Sequence, residues 1–148
     1  MENIYGGHQR ARKKIVFVCG CFDILHYGHI QLLNFAKSLG DILVVGLNSD
    51  ESVRLLKGKD RPINIQAHRL AMLRELRCVD DVIVFGETTP CNLIEKICPD
   101  IFVLGGEYRG RAIPEHRSAE RCNCQVVYYD KNTYISTTEI IEKLKGKG

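Results

Sequence analysis

The chain has 148 residues, of which 45% are hydrophobic and 26% charged, and a net charge of +3. That length fits one domain able to bury a core, and the charge is too small to argue by itself for a nucleic-acid partner. No apolar run approaches the ~20 residues that span a bilayer. The polar segment that ends in Arg10, Arg12, Lys13 and Lys14 lacks the apolar core of a signal peptide. The expectation is a cytoplasmic protein with no membrane and no nucleic-acid partner.

Residues 1–13 read as a polar basic tail whose charges suit a solvated surface, and residues 14–148 as the domain. Residues 15–18, Ile-Val-Phe-Val, form the short β-branched run expected of a buried parallel strand. A helix follows over 28–39, with Leu32, Phe35, Ala36 and Leu39 at helical spacing and Gly40 as its stop. Residues 42–47 predict a second strand, and Asp50 a cap for a short helix through Leu56 that Gly58 ends. A basic loop, 57–64, leads to a helix over 67–77 carrying Leu70, Leu73 and Leu76. Residues 82–85 predict a third strand, and Pro90 opens a helix ending near Ile97. Residues 101–104 predict a fourth strand stopped by Gly105-Gly106. A polar stretch, a fifth strand over 125–129 and a last helix from Thr137 to about Lys145 complete the chain. Alternating strands and helices imply an α/β fold, a single Rossmann-like, doubly wound parallel sheet with right-handed crossovers. Ligands in such sheets bind beyond the carboxyl ends of the strands, at the switch point, which selects residues 20–29, 48–61, 104–111 and 130–138.

Seven cysteines are many for this length, and the number is odd. A disulfide framework belongs to oxidising compartments and to smaller, loop-rich chains. Cys19-Gly20-Cys21 and Cys122-Asn123-Cys124 each have one intervening residue, whereas structural zinc sites use two to four, and no histidine falls at finger spacing. Reduced thiols, several of them buried, and no structural metal are expected.

Three segments carry polar chemistry. The first runs from Gly20 through Cys21, Phe22, Asp23, Ile24, Leu25, His26, Tyr27 and Gly28 to His29, just after the first strand and into the first helix. His26 and His29 stand three apart near a helix start, so they can project the same way. Gly28 allows close backbone approach and the helix N-terminus favours anions. The pair can hold phosphates and donate to developing charge, can ligate a metal, or can be two internally satisfied histidines. The Gly-rich dinucleotide fingerprint and the Walker lysine are absent, which argues against a dehydrogenase and a P-loop enzyme. The second segment is Lys131-Asn132-Thr133-Tyr134-Ile135-Ser136-Thr137-Thr138-Glu139: Ser136 and Glu139 form a capping box, and the three hydroxyls and free N–H groups at the helix start also make a phosphate cradle. The third is Lys57-Gly58-Lys59-Asp60-Arg61-Pro62, followed by Arg69, a natural clamp for triphosphate oxygens or a solvated face.

His26-Tyr27-Gly28-His29 matches the H-x-G-H signature, and Ile135-Ser136-Thr137-Thr138 the I-S-T-T signature, of the cytidylyltransferase-like nucleotidyltransferase superfamily, which the chain resembles from Lys14 to Lys145. Of its branches, the chain is most similar to the adenylyltransferase domain of bacterial ADP-heptose synthase. That similarity is carried by residues 20–26, Asn48-Ser49-Asp50, Leu56-Lys57-Gly58 with Arg61-Pro62, Thr89-Pro90, Pro99-Asp100 and Gly105-Gly106-Glu107-Tyr108. Glycerol-3-phosphate cytidylyltransferase is next, with less similarity in the middle of the chain. The heptose branch typically has lysine where this chain has Leu104 and aspartate where it has Glu107, and the cytidylyltransferase branch arginine where it has Lys131.

The resemblance implies in-line attack of an acceptor phosphate on the α-phosphorus of a nucleoside triphosphate bound with Mg²⁺, and release of pyrophosphate. His26 and His29, aided by Lys57 or Lys59, are the expected catalytic residues. Gly20, Cys21, Phe22, Gly28, Arg61, Gly105, Glu107, Tyr108, Ile135, Ser136, Thr137 and Thr138 are expected to bind nucleotide. Asp23, Arg69 and Lys131 are expected to bind the acceptor, with Asp23 facing either its phosphate or the metal. Transfer of AMP from ATP to a heptose 1-phosphate-like sugar phosphate is the leading expectation. The alternatives are CDP-polyol or CDP-amino-alcohol synthesis, and a non-catalytic nucleotide-binding subunit. A homodimer is the family expectation.

Overall fold

Alternation along the first strand sets up both faces of the sheet. In β1 (Ile15–Gly20), Val16 and Val18 join one apolar core while Ile15 and Phe17 join another, as an interior strand of a parallel sheet requires. The computed structural model describes residues 13–131 and 136–146. β1 is followed by α1 (Tyr27–Ser38), β2 (Ile42–Asn48), α2 (Asp50–Lys57), α3 (Gln66–Arg74), β3 (Asp81–Phe85), α4 (Cys91–Ile97), β4 (Ile101–Gly105), α5 (Pro114–Arg121), β5 (Gln125–Tyr129) and α6 (Thr137–Leu144). The strands form one all-parallel sheet in the order β3-β2-β1-β4-β5. On one face, Leu33 and Ala36 of α1 and Leu73 of α3 cover Val16, Val18, Val45 and Val103. On the other, Leu93, Ile94 and Ile97 of α4 cover Ile15, Phe17, Val44 and Phe102.

The chain winds outward from β1 to β3 and returns to lay β4 on the other side of β1, so the switch point lies between β1 and β4. Pairing opens there. All six residues of β1 pair with β2, but only Val16 and Phe17 pair with β4, opposite Ile101 and Phe102. Beyond them Val18, Cys19 and Gly20 stand across a crevice from Val103, Leu104 and Gly105.

The α/β alternation read from sequence is the observed fold, with corrections at helix ends. Ser49, not Asp50, caps α2: its hydroxyl accepts from the Ser52 N–H at 3.1 Å. The helix expected over 67–77 stops at Arg74. The polar stretch after β4 contains a 3₁₀ turn, Gly106–Tyr108, and all of α5. Only Ser118 and Ala119 of α5 are buried, so it has no apolar period to find; its signals were Pro114 at the start and Arg121 in the last turn. All seven cysteines are free thiols. Among the described residues no three metal-capable side chains converge, and no helix is long and apolar enough to cross a membrane.

Candidate active site

The two histidines together cap the start of α1. His26 is the N-cap of α1 and its Nδ1 accepts from the Gly28 N–H at 3.1 Å, while His29 Nδ1 accepts from the His26 N–H at 3.2 Å. This is a capping box built from imidazoles instead of hydroxyl and carboxylate. A ring nitrogen that accepts a backbone N–H carries no proton, so each neutral ring holds its proton on Nε2. The rings stack with centroids 3.8 Å apart, and Phe22 packs on His29 at 5.3 Å. Burial pushes the His29 pKa down to about 4, with the charges of His26 and Lys131 adding to it and Asp23 opposing. Burial and then Lys131 lower His26 as well. The sequence thus builds two neutral Nε2–H donors, side by side, at a helix start.

The turn before them is strained and densely bonded. Phe22 and Ile24 adopt φ of 47° and 52°, left-handed values that a β-branched residue rarely takes. Between them Asp23 is 1% exposed. Its carboxylate accepts from the Ile63 N–H at 2.7 Å and the Asn64 N–H at 2.9 Å, and faces Arg61 Nε at 3.4 Å. Its main-chain carbonyl accepts from the Thr137 hydroxyl at 2.6 Å. Asp23 lines the crevice, but both of its carboxylate oxygens already accept main-chain N–H groups.

A crevice of about 500 Å³, a size suited to a small ligand, opens above the sheet at the switch point. His26, His29, Gly28, Gly20, Cys21 and Phe22 line its middle, and Lys57 and Arg61 border it from the α2 side. Gly105, Glu107 and Tyr108 line it from the β4 side, and Lys131, Ser136, Thr137 and Thr138 from the start of α6. A Cβ on Gly106 would meet the Asp130 carboxylate and one on Gly105 that of Glu107, the movable ends of side chains that pack against the turn after β4. Ser136 caps α6 by accepting from the Glu139 N–H at 3.1 Å. With the Thr137 hydroxyl donated to Asp23 and the Glu139 N–H to Ser136, what α6 still presents to an anion is the main-chain N–H groups of Thr137 and Thr138, unpaired among the described residues, and the Thr138 side chain. Ile135 lies outside the described residues.

Two expected residues are not brought to the crevice. Lys59 is exposed on the loop after α2 and does not line it. Arg69 is fully buried: Nε donates to Asn64 O at 2.9 Å, Nη1 to Cys21 O and Asn48 O at 2.8 Å each, and Nη2 to Asp50 Oδ1 at 2.8 Å. Its guanidinium clamps three main-chain carbonyls and one carboxylate instead of a substrate. Conversely, Asn48, Phe85, Thr88, Pro90 and Glu115 line the crevice without having been singled out as site residues. Phe85 ends β3 and Thr88 and Pro90 follow it, at a carboxyl end that the switch-point rule also covers; Glu115 sits on the helix that left no apolar signal. Leu104, where a lysine is typical of the heptose branch, is 7% exposed and adds an apolar wall. Cys19, beside it, has its thiol pushed up to about 12 by burial, with the charge of Glu115 adding.

Comparison with known proteins bears on the family and the fold. The family described as cytidylyltransferase-like matches residues 17–143. Curated relatives include the bifunctional protein HldE of Campylobacter fetus, 49% identical over 93% of this chain, and that of Helicobacter pylori, 46% identical over 98%. The chain spans 29% and 30% of their lengths. Among solved structures, a lipopolysaccharide core biosynthesis protein from Thermoplasma volcanium superposes with a TM-score of 0.66 at 33% identity, covering 83% of this chain and 99% of that one. An Archaeoglobus fulgidus protein, 22% identical with a TM-score of 0.58, shares the fold. The chain belongs to the cytidylyltransferase-like family, and it is a nucleotidyltransferase.

Proposed function

We propose that the chain transfers AMP from ATP to a sugar 1-phosphate of the heptose 1-phosphate type, releasing pyrophosphate. The observation that carries the transfer chemistry is the mutual capping of His26 and His29, which leaves two neutral Nε2–H donors at the crevice. The heptose reading draws on the 45–49% identity to HldE proteins and on the lipopolysaccharide-core neighbour.

An oxygen of the acceptor phosphate attacks the α-phosphorus, the bond to the α,β-bridging oxygen breaks, and pyrophosphate leaves with that electron pair. Negative charge grows on oxygens around the α-phosphorus, and the two imidazoles donate to it without first having to lose a proton. Lys57 and Lys131 add positive charge from opposite sides, and the N-terminus of α6 receives the outer phosphates. Mg²⁺ enters with the nucleotide as part of the substrate; among the described residues no protein cage forms for it. A homodimer is part of the proposal, to be checked by light scattering. The deciding experiment is pyrophosphate release with ATP, CTP, GTP and UTP against sugar 1-phosphates, polyol phosphates and amino-alcohol phosphates. Turnover confined to ATP with a heptose 1-phosphate supports the reading. A preference for CTP and glycerol 3-phosphate replaces it with the cytidylyltransferase reading and leaves the in-line mechanism intact. No turnover with any pair overturns catalysis.

A further inference from the structure

We infer that Asp23 is a positioning residue: it latches the loop that carries Arg61, and the first turn of α6, onto the histidine turn, and touches neither substrate nor metal. For its catalytic consequence this rests on the proposed transfer reaction. The observations are contacts of one buried residue with two distant segments. The carboxylate takes the N–H groups of Ile63 and Asn64, and the carbonyl takes the Thr137 hydroxyl. Asn64 is held from both sides, because its carbonyl accepts from Arg69 Nε. Arg61 lies between this latch and the crevice. Its side chain is 14% exposed, its Nε faces Asp23, and no other ion pair or hydrogen bond of its side chain occurs among the described residues. One edge of the guanidinium is thus oriented by a buried charge, which leaves the outer N–H groups for an anion, in the forked geometry that suits phosphate.

The backbone is bent to make this possible. Left-handed Phe22 and Ile24 flank Asp23, and such strain persists only where surrounding bonds over-determine it. Here the carboxylate is drawn inward, while the next turn starts the helix that presents the histidines. Arg61, the histidines and the start of α6 are thereby referred to one residue, so the seat of the triphosphate relative to the histidines is set by Asp23.

Asp23→Asn tests the latch with almost no change of volume. The amide turns one acceptor into a donor that opposes a backbone N–H, and removes the charge facing Arg61. Three results are expected. Exchange of the Ile63 and Asn64 amides, followed by NMR, accelerates about ten-fold or more. The kcat/KM for MgATP falls ~10–100-fold, and binding of MgATP measured without acceptor weakens about ten-fold or more. The Mg²⁺ concentration for half-maximal rate stays the same, and Asp23→Asn costs little more when Arg61→Ala is already present. A raised Mg²⁺ requirement, or fully additive losses with both amides still protected, overturns the inference and makes Asp23 a ligand. If Asp23→Asn does not fold, the wild-type chain still decides: unprotected Ile63 and Asn64 amides refute the latch. That measurement needs no turnover, so it separates failure of the latch from failure of the transferase reading.

Discussion

Arg69→Ala separates a structural guanidinium from a substrate-binding one. The side chain makes four hydrogen bonds of 2.8–2.9 Å, three of them to main-chain carbonyls. Asn48, which supplies one carbonyl, is itself buried and cannot recruit water, at a cost of about 2 kcal/mol for an unpaired acceptor. The carbonyls of Cys21 and Asn64 are part-buried and cost about 1 kcal/mol each, and the Asp50 carboxylate rehydrates. The loss comes to about 4 kcal/mol, in the range for breaking a buried ion pair from one side. It is a large share of the ~5–15 kcal/mol that holds a domain folded. With a slope of about 2 kcal/mol per molar, the urea midpoint followed by circular dichroism falls by about 2 M at unchanged slope. Arg69→Lys keeps the charge but not the planar fork, and should lose about half as much. A midpoint within about 0.3 M of wild type for Arg69→Ala, together with a raised acceptor KM, would refute the clamp and return Arg69 to the acceptor site expected from sequence.

His26→Asn keeps a good helix cap but removes the distal donor, so kcat should fall ~10²–10³-fold with little change in melting temperature; unchanged kcat would make His26 a cap and nothing more. His29 titrates near 4 when folded against an ordinary 6.5, so the folded state binds fewer protons between these values. Its contribution, up to about 3 kcal/mol, is complete above pH 6.5 and is lost as pH falls toward 4. Urea midpoints measured from pH 7 to 4 should drop less steeply in His29→Ala, and parallel curves would contradict this. Lys57→Ala should reduce kcat/KM about ten-fold or more, whereas Lys59→Ala, screened by solvent, should change it less than about three-fold; equal losses would put both lysines on the nucleotide.

Local chemistry was enough for most of the fold. The run from Ile15 to Val18, the stripe of α1 and the alternation of such segments report periods of 2 and 3.6 that any window of sequence displays. The histidine turn was legible for the same reason, since His26 and His29 meet through a spacing of three. The start of α6 announced itself through Ser136. Helix α5 did not, because it contributes only Ser118 and Ala119 to the interior.

What only the tertiary structure decided is the use made of polar side chains in the loops. Arg61, Arg69, Lys57 and Lys59 look alike in sequence, as charges suited to a phosphate, and Asp23 looks like a carboxylate free for a ligand. Their roles depend on partners far along the chain: Asp23 meets the Ile63 amide across 40 positions and the Thr137 hydroxyl across 114, and Arg69 meets Cys21 across 48. The sheet order β3-β2-β1-β4-β5 brings those segments to one rim. A buried charge must then be bonded to whatever that rim supplies, so Asp23 and Arg69 were taken up by backbone while Lys57 and Arg61 stayed at the crevice. Composition cannot assign such partners, because hydrogen bonds are won by proximity in space, which the strand order creates.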